Sequence, residues 1–545
     1  MLDEQAEKVT QKESLKNTSK TTPKENKIIS NLLNLETATE KNVYVNTPLI
    51  KGIISTKGAS LVDWKLKKYK MWDKKDVEMI PHNSDVYGNL SLIFTTVDTT
   101  IDTKDFIFES NKDSVLINKT DSNGVTFTLN LGDGKKIIKK YTFYDDEYNF
   151  ELEVILENLG NIISDREYSI AWESGLASTE KRLNDDMFYS KAYISAAGNT
   201  EQFKKADDKV HNISGSKIDW VALRTKYFVT AIAPTNEKGL DATIKGEEIP
   251  TANKSEKWKK FRVELSLPFL NDRYEDNKFL IYCGPLDYDI IKKYGLGFES
   301  MMDFGWKIIE PFSKIVLWSL KKIHTVISNY GLVLIIFSIL IKIIVYPLTA
   351  KSYNSMQRMQ ALQPKLSELK EKYGKDPQRL NQETMKLYKQ FGVNPLGGCL
   401  PVIIQMPLLY ALFIIFRTTI ELRGQGFIWW IKDLSNPDTV YTLPFSIPIY
   451  GNDVNILPLL MGASMLLQQK MGMQDPKQKM MAYMMPIFFT LLFNNFPSGL
   501  TLYYTLFNVL TIVQQKITSK NQQVELVPVK KPRSKREYLY QRKRR

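Results

Sequence analysis

The chain has 545 residues, with 74 lysines and arginines against 60 acidic residues and a formal net charge of +14. A chain of this length should hold more than one domain. Its two cysteines, Cys283 and Cys399, and its three histidines, His82, His211 and His324, argue against a structural disulfide and a histidine-rich metal site. There is no phosphate-cradling glycine loop, nucleophile elbow or HExxH motif, so we expect no enzyme, no catalytic residue and no cofactor.

Residues 1–40 are rich in Lys, Thr, Asn, Ser and Glu and poor in large apolar side chains. Such a segment cannot bury enough surface to fold, so we interpret it as a disordered linker. It lacks the charged and apolar regions of a signal peptide.

Residues 41–300 alternate between apolar and polar side chains in short runs, such as VTFTLNL (125–131) and NFELEVIL (149–156). Turn-forming residues separate the runs. The pattern predicts one large all-β domain of the sandwich type. Trp172 and Trp220 are interpreted as residues of core or edge packing rather than as platforms for a ligand.

Residues 303–325 interleave aromatic and aliphatic residues with lysines, as at Trp306, Lys307 and Trp318. This pattern is typical of an amphipathic helix lying in the membrane interface. The alternative is a surface helix packed on the β domain. Pro311 is expected to bend the helix.

The strongest apolar run, residues 330–349, is long enough to cross a membrane and contains Lys342. From position alone, two interpretations stay open. Lys342 lies close to Pro347 and could extend toward the membrane surface. Alternatively, it faces a wet interior, as ionisable residues in spans usually do. Ser338, one helical turn earlier on the same face, favours the second interpretation.

Four further spans are predicted after the first, so the membrane core should contain five helices. They cover residues 398–418, 454–469, 480–496 and 499–517. The connecting segments are a cytoplasmic helical hairpin (350–397), a periplasmic loop (419–453) and a basic cytoplasmic tail (518–545).

The orientation follows from the excess of lysine and arginine in the hairpin and the tail, which the positive-inside rule places in the cytoplasm. Five spans then place the β domain outside. Since nothing N-terminal could direct its export, we expect that an N-terminal anchor is missing, through truncation or a misplaced start.

The hairpin should break between two helices. Gly374 suits a helix C-terminus, while Asp376 and Pro377 suit the N-cap and first position of the next helix.

Polar residues recur within the predicted spans. We hypothesise that a subset lines a polar groove, although each alone could equally form a hydrogen bond between helices. The candidates are Lys342, Ser338, Gln405, Tyr503, Tyr504 and Asn508.

Four segments resemble YidC-type membrane protein insertases of the Gram-negative type with a large periplasmic domain. They are GPLDYDIIKKYG (284–295), YPLTAKSYNSMQRMQALQPKLSELKEKYG (346–374), NPLGGCLPVIIQMPLLYALF (394–413) and FPSGLTLYYTLFNVLTIVQQ (496–515). The similarity extends from about residue 40 to residue 517.

The resemblance implies a five-helix α-helical membrane core and a periplasmic β-supersandwich, in a multi-pass protein of the bacterial inner membrane. It implies a hydrophilic groove, open to the cytoplasm and lipid, with one positive residue at the position of Lys342. The implied function is insertion of nascent membrane proteins, alone or with the Sec translocon. The ribosome and anionic lipids are the partners expected for the basic hairpin and tail.

Two other classes stay open from the residues themselves. A small-solute transporter with a periplasmic sensor domain would need a continuous polar path, and its usual inverted repeat is not evident. A membrane-anchored carbohydrate-active enzyme would need a His/Glu constellation, but His82 and His211 have no evident partners in the sequence.

Overall fold

The computed structural model describes residues 39–81, 88–118, 122–251, 256–393, 400–472 and 476–520. It divides into two compact units after Met302. We call the described residues up to Met302 the β domain and those from Asp303 the helical unit. The linker predicted for residues 1–40 lies outside the described residues except for its last two positions. His82 and nearly all of the predicted tail also lie outside them.

The β domain contains twenty strands. The first ten are β1 (Asn42–Asn46), β2 (Ile50–Ser55), β3 (Ser60–Lys70), β4 (Asp76–Glu78), β5 (Ser91–Thr95), β6 (Thr100–Asp102), β7 (Glu109–Ser110), β8 (Ser114–Leu116), β9 (Asn123–Gly132) and β10 (Lys135–Phe143). The others are β11 (Asn149–Glu157), β12 (Glu167–Trp172), β13 (Lys191–Ala196), β14 (Asn199–Phe203), β15 (Val210–Ile213), β16 (Ile218–Arg224), β17 (Phe228–Pro234), β18 (Asp241–Pro250), β19 (Lys257–Pro268) and β20 (Tyr274–Pro285). Two short helices, α1 (Leu183–Tyr189) and α2 (Tyr288–Lys292), complete the domain.

These strands form three sheets. Their orders are β4-β3-β2-β1-β8, β14-β13-β16-β17-β20-β11-β10-β9-β7 and β15-β18-β19-β12-β5-β6. In the long sheet, β10, β11 and β20 pair antiparallel in register over eight or nine residues. Alternate residues of β10 are buried, as the period of a strand with one covered face requires. The β-rich domain predicted from the alternation is confirmed.

Three tryptophans lie at the centre of this domain. Trp64, Trp172 and Trp220 are fully buried, and each indole N–H donates to a backbone carbonyl oxygen. A buried indole needs such a partner, so these contacts identify core residues. The interpretation of Trp172 and Trp220 as core is confirmed.

The helical unit contains eight helices among its described residues. They are α3 (Glu310–His324), α4 (Tyr330–Ala361), α5 (Gln363–Tyr373), α6 (Pro377–Phe391), α7 (Leu400–Thr418), α8 (Ile456–Gly472), α9 (Pro476–Phe493) and α10 (Ser498–Lys520). The predicted helical C-terminal half is confirmed. Among the described residues, α4 alone meets the combined length and hydropathy criteria for a membrane span, and shorter apolar helices cover Gln405–Thr418 and Tyr483–Phe493. Five spans therefore stay a prediction.

Helix α3 begins at Glu310 rather than at residue 303, and Pro311 lies in its first turn. Proline is favoured there because its missing N–H would have no partner anyway, so Pro311 starts the helix instead of bending it. One face, including Val316, is buried, whereas Ile315 and Trp318 are 62% and 66% exposed.

Helix α4 continues well past the predicted span and ends only at Ala361, with Pro347 inside it. Helix α5 ends before Gly374, and the Asp376 carboxylate caps α6 by accepting from the backbone N–H groups of Gln378 and Arg379. The predicted break in the hairpin is confirmed. A small core of Leu362, Phe391 and Val393 holds the hairpin together.

A β-hairpin occupies part of the predicted loop 419–453. Its strands are β21 (Thr439–Ile447) and β22 (Gly451–Asn455). The Asp438 carboxylate accepts from the backbone N–H groups of Ile456 and Leu457 at 3.1 and 2.8 Å and thereby caps α8.

Candidate functional site

Helices α4 and α10 bring a lysine, a threonine and a phenylalanine together. Lys342 is 8% exposed, and its Nζ donates to Thr511 Oγ1 at 2.7 Å. The same Nζ lies 4.4 Å from the centre of the Phe507 ring, close enough for a cation–π interaction. Thr511 also donates to the Phe507 carbonyl oxygen at 2.7 Å, which leaves its hydroxyl oxygen free to accept from the lysine.

The two partners of Lys342 are both neutral. Among the ion pairs between described residues, none includes Lys342. Taking an ammonium group out of water is costly, and a hydroxyl group and a ring offset only part of that cost. The arrangement therefore sets the lysine against neutral groups, and no carboxylate among the described residues is paired with it.

A second polar contact joins the same helices further along. Gln514 Nε2 donates to Thr349 Oγ1 at 2.9 Å, and both side chains are buried. Ser338 is fully buried, but its hydroxyl donates to the Leu334 carbonyl oxygen of its own helix at 2.7 Å. The α4–α10 boundary thus carries two polar contacts, one at Lys342 and one at Thr349.

The other predicted groove residues lie elsewhere on the helices. Asn508 Nδ2 donates to Ser464 Oγ at 3.1 Å, which joins α10 to α8. Tyr503 is fully buried, and its hydroxyl has no hydrogen-bond partner among the described residues. Tyr504 packs edge-on against Phe493, with ring centres 5.0 Å apart.

An apolar pocket of about 410 Å³ lies between α7, α8, α9 and α10. Tyr504 and Asn508 line it together with Met406, Phe413 and Met461. Gln405, adjacent to Met406 on α7, is half-buried. Of the six candidate residues, Tyr504 and Asn508 thus line this pocket, whereas Lys342 lies at the α4–α10 boundary.

The sequence reasoning missed Thr511 and Phe507 as partners of the lysine. Neither is charged, and in a span both are ordinary residues. A signal was nevertheless present, because Tyr503, Phe507 and Thr511 are spaced four residues apart and so share one face of α10. A hydroxyl group on such a face can accept a hydrogen bond from a lysine on the neighbouring helix.

Two family comparisons together cover most of the chain. The family described as "YidC periplasmic domain" matches residues 42–318, and the family described as "60Kd inner membrane protein" matches residues 322–525. The first of these alone spans more than half of the chain.

The chain belongs to the YidC family of membrane protein insertases. The membrane protein insertase YidC of Chlorobium phaeovibrioides is 38% identical over 493 residues, covering 87% of this chain and 82% of that protein. The YidC of Chloroherpeton thalassium is 36% identical over 502 residues, covering 90% and 85%. A crystal structure of an active YidC insertase covers 88% of this chain and 95% of that one, at 18% identity and a TM-score of 0.38.

Membership in the YidC family makes this an inner membrane protein with a periplasmic β domain. It favours the insertase over the transporter, and the family is not one of enzymes. The resemblance drawn from the four sequence segments is confirmed.

Proposed function

We propose that this chain inserts nascent membrane proteins into the bilayer, with Lys342 as the attracting charge of a polar groove. The observation that carries the proposal is the lysine itself, buried between α4 and α10 and bonded only to neutral groups among the described residues. An ammonium group in a medium of low dielectric attracts an acidic or polar client segment far more strongly than it would in water.

In this mechanism the groove shortens the apolar path that a client's hydrophilic segment must cross. Ser338, Gln405, Tyr503, Tyr504 and Asn508 belong to the proposed groove and its walls. An apolar client helix then leaves sideways into lipid, driven by hydrophobic partitioning. The apolar pocket beside α7 and α10 supplies a surface that such a helix can contact on the way.

The proposed topology places α4, α7, α8, α9 and α10 across the membrane, with α3 in the outer interface and the C-terminus in the cytoplasm. The hairpin of α5 and α6 then lies in the cytoplasm. It exposes lysines and arginines that suit contact with the ribosome or anionic lipids. Cooperation with the Sec translocon is part of the same proposal.

The experiment is insertion of a short single-span client with an acidic tail, in cells depleted of their own insertase. The chain is compared as wild type, Lys342→Ala and Lys342→Arg. We expect rescue by the wild type and by arginine, because both carry the charge, and at least about tenfold less insertion with alanine.

Each other result has a definite meaning. Rescue by all three versions would retain the insertase and remove the charge from its mechanism. A failure of all three, at normal expression and orientation, would overturn the proposed function. A neutral-tailed client serves as the control, because its insertion should depend little on Lys342.

A further inference from the structure

The hairpin of β21 and β22 presents an apolar surface that no described part of the helical unit covers. Tyr441 and Phe445 are each 61% exposed, and Ile449 at the turn is 69% exposed. Residues 439–452 contain no charged side chain at all. Such a patch on a chain segment outside the helices marks an interaction surface.

The turn of the hairpin holds isoleucine in an unfavourable conformation. Ile449 has a φ of +70°, a region that suits glycine or asparagine and is strained for a β-branched residue. Its side chain nevertheless gains little burial within the protein. An exposed isoleucine at this position is therefore best explained by contact with something outside the chain.

The hairpin is bonded to the segment that joins α9 and α10. Asn494, between α9 and α10, donates to the carbonyl oxygens of Tyr450 at 2.8 Å and Asp453 at 2.7 Å. Asn455 at the base also donates to Asn494 Oδ1 at 3.0 Å. One asparagine thus fixes both the base and the turn of the hairpin at the level where the helices end.

We infer that this hairpin inserts its apolar side chains into the outer leaflet of the membrane. Uncharged aromatic and aliphatic residues held at the end of a membrane helix match the boundary between lipid headgroups and acyl chains. Trp429, 83% exposed and stacked on Trp430 beside the hairpin base, fits the same layer. The inference rests on the proposed function in placing α8 across the membrane and residues 419–453 on its outer side.

The test uses the full chain in phosphatidylcholine vesicles, with Cys283 and Cys399 replaced by alanine. An environment-sensitive fluorophore is attached at Phe445→Cys, and lipids carrying a nitroxide at a shallow acyl position are the quencher. We expect at least about twofold stronger quenching than at Met385→Cys, which is exposed on α6. Leu460→Cys, 47% exposed on α8, is the membrane control.

Quenching at position 445 no stronger than at position 385 would overturn the inference. A label at 445 that is shielded from aqueous iodide yet unaffected by the lipid nitroxide would also overturn it, because protein would then cover the hairpin. If a deep nitroxide quenches at 460 while 445 stays unquenched, the placement of α8 survives and the hairpin inference alone fails. No quenching at 460 would overturn both.

A second variant removes the apolar contacts without disturbing the fold. Glycine accepts the backbone of residue 449, so Ile449→Gly combined with Tyr441→Ser should unfold at an unchanged or higher temperature. Lipid quenching at position 445 should then fall to about half. Unchanged quenching would show that these side chains do not hold the hairpin in the lipid.

Discussion

Lys139 in the β domain and Lys342 in the helical unit are both buried lysines, but their ammonium groups meet different partners. Lys139 Nζ donates to the carbonyl oxygens of Gly58 at 2.7 Å and Leu90 at 2.8 Å. A third buried lysine, Lys226, forms an ion pair with Asp185. Lys342 has one hydroxyl group and one ring.

The difference lies in the bonding groups, because Lys139 and Lys226 are bonded by carbonyl or carboxylate oxygens of the β domain, whereas Lys342 is bonded by a hydroxyl group and a ring. Two backbone carbonyls bind Lys139, although burial still lowers its pKa, and a carboxylate neutralises Lys226. A neutral hydroxyl group and an aromatic face hold the ammonium group of Lys342 in position, but they leave its charge uncompensated. In the proposed mechanism, a client carboxylate would supply the negative partner that Lys342 lacks among the described residues.

The largest expected effect is on the ion pair of the β domain. Asp185→Ala should destabilise the domain by about 3 kcal/mol, because Lys226, 2% exposed at its side chain, would lose its carboxylate. Urea unfolding of the full chain in detergent, followed by tryptophan fluorescence, measures this. Adding Lys226→Met should recover most of the loss. A cost below about 1 kcal/mol for the single substitution would contradict the structural role of the pair.

The next effect should appear in function rather than in stability. Thr511→Val removes the acceptor of Lys342 and should reduce insertion of an acidic-tailed client about tenfold, since a hydrogen bond to a charged group contributes about 1.5 kcal/mol. Thr511→Ser keeps the hydroxyl group and should insert normally. Equal loss with a neutral-tailed client would instead indicate damage to the helices.

The buried Lys139 should also make the stability of the β domain depend on pH. Burial lowers the pKa of Lys139 to about 7 in the folded protein, below its ordinary value of 10.5. Between these values the unfolded chain binds more protons, so stability should rise with pH by about 1 kcal/mol per unit from this residue. Lys139→Met should remove that increment from the unfolding free energy measured between pH 8 and 9.5. An unchanged slope would show that Lys139 is not the titrating group.

The smallest effect concerns the aromatic partner of Lys342. Phe507→Leu removes the ring beneath the ammonium group and should lower acidic-client insertion about threefold, while Phe507→Trp should preserve or raise it. Insertion rates with the acidic- and neutral-tailed clients measure the difference. If tryptophan and leucine behave alike, the ring fills space and does not hold the charge.

Much of this arrangement could be predicted from local patterns. The strands follow from alternation, and the hairpin break at Gly374 and Asp376 follows from helix-end preferences. Lys342 was identifiable because a charge inside an apolar run is costly wherever it occurs. Each of these signals lies within a few residues of the feature that it predicts.

The remainder depends on contacts between residues far apart in the chain. The pairing of Lys342 with Thr511 joins positions 169 residues apart, and nothing in either helix specifies the partner. The order of strands in the long sheet has the same origin. The hairpin of β21 and β22 was predicted only as part of a loop, because prolines at 444 and 448 interrupt its alternation.

Helix α4 also has a mechanical consequence. With 32 residues it is about 48 Å long, so it exceeds a membrane core of about 30 Å and extends directly into the hairpin. No loop lies between Lys342 and the start of the α5–α6 hairpin, so no flexible segment there would absorb movement of that hairpin. Pro347, five residues beyond the lysine, is the only proline within the helix and its natural pivot. A ligand that moves the α5–α6 hairpin would therefore tilt the part of α4 that carries Lys342, with Pro347 as the point of rotation.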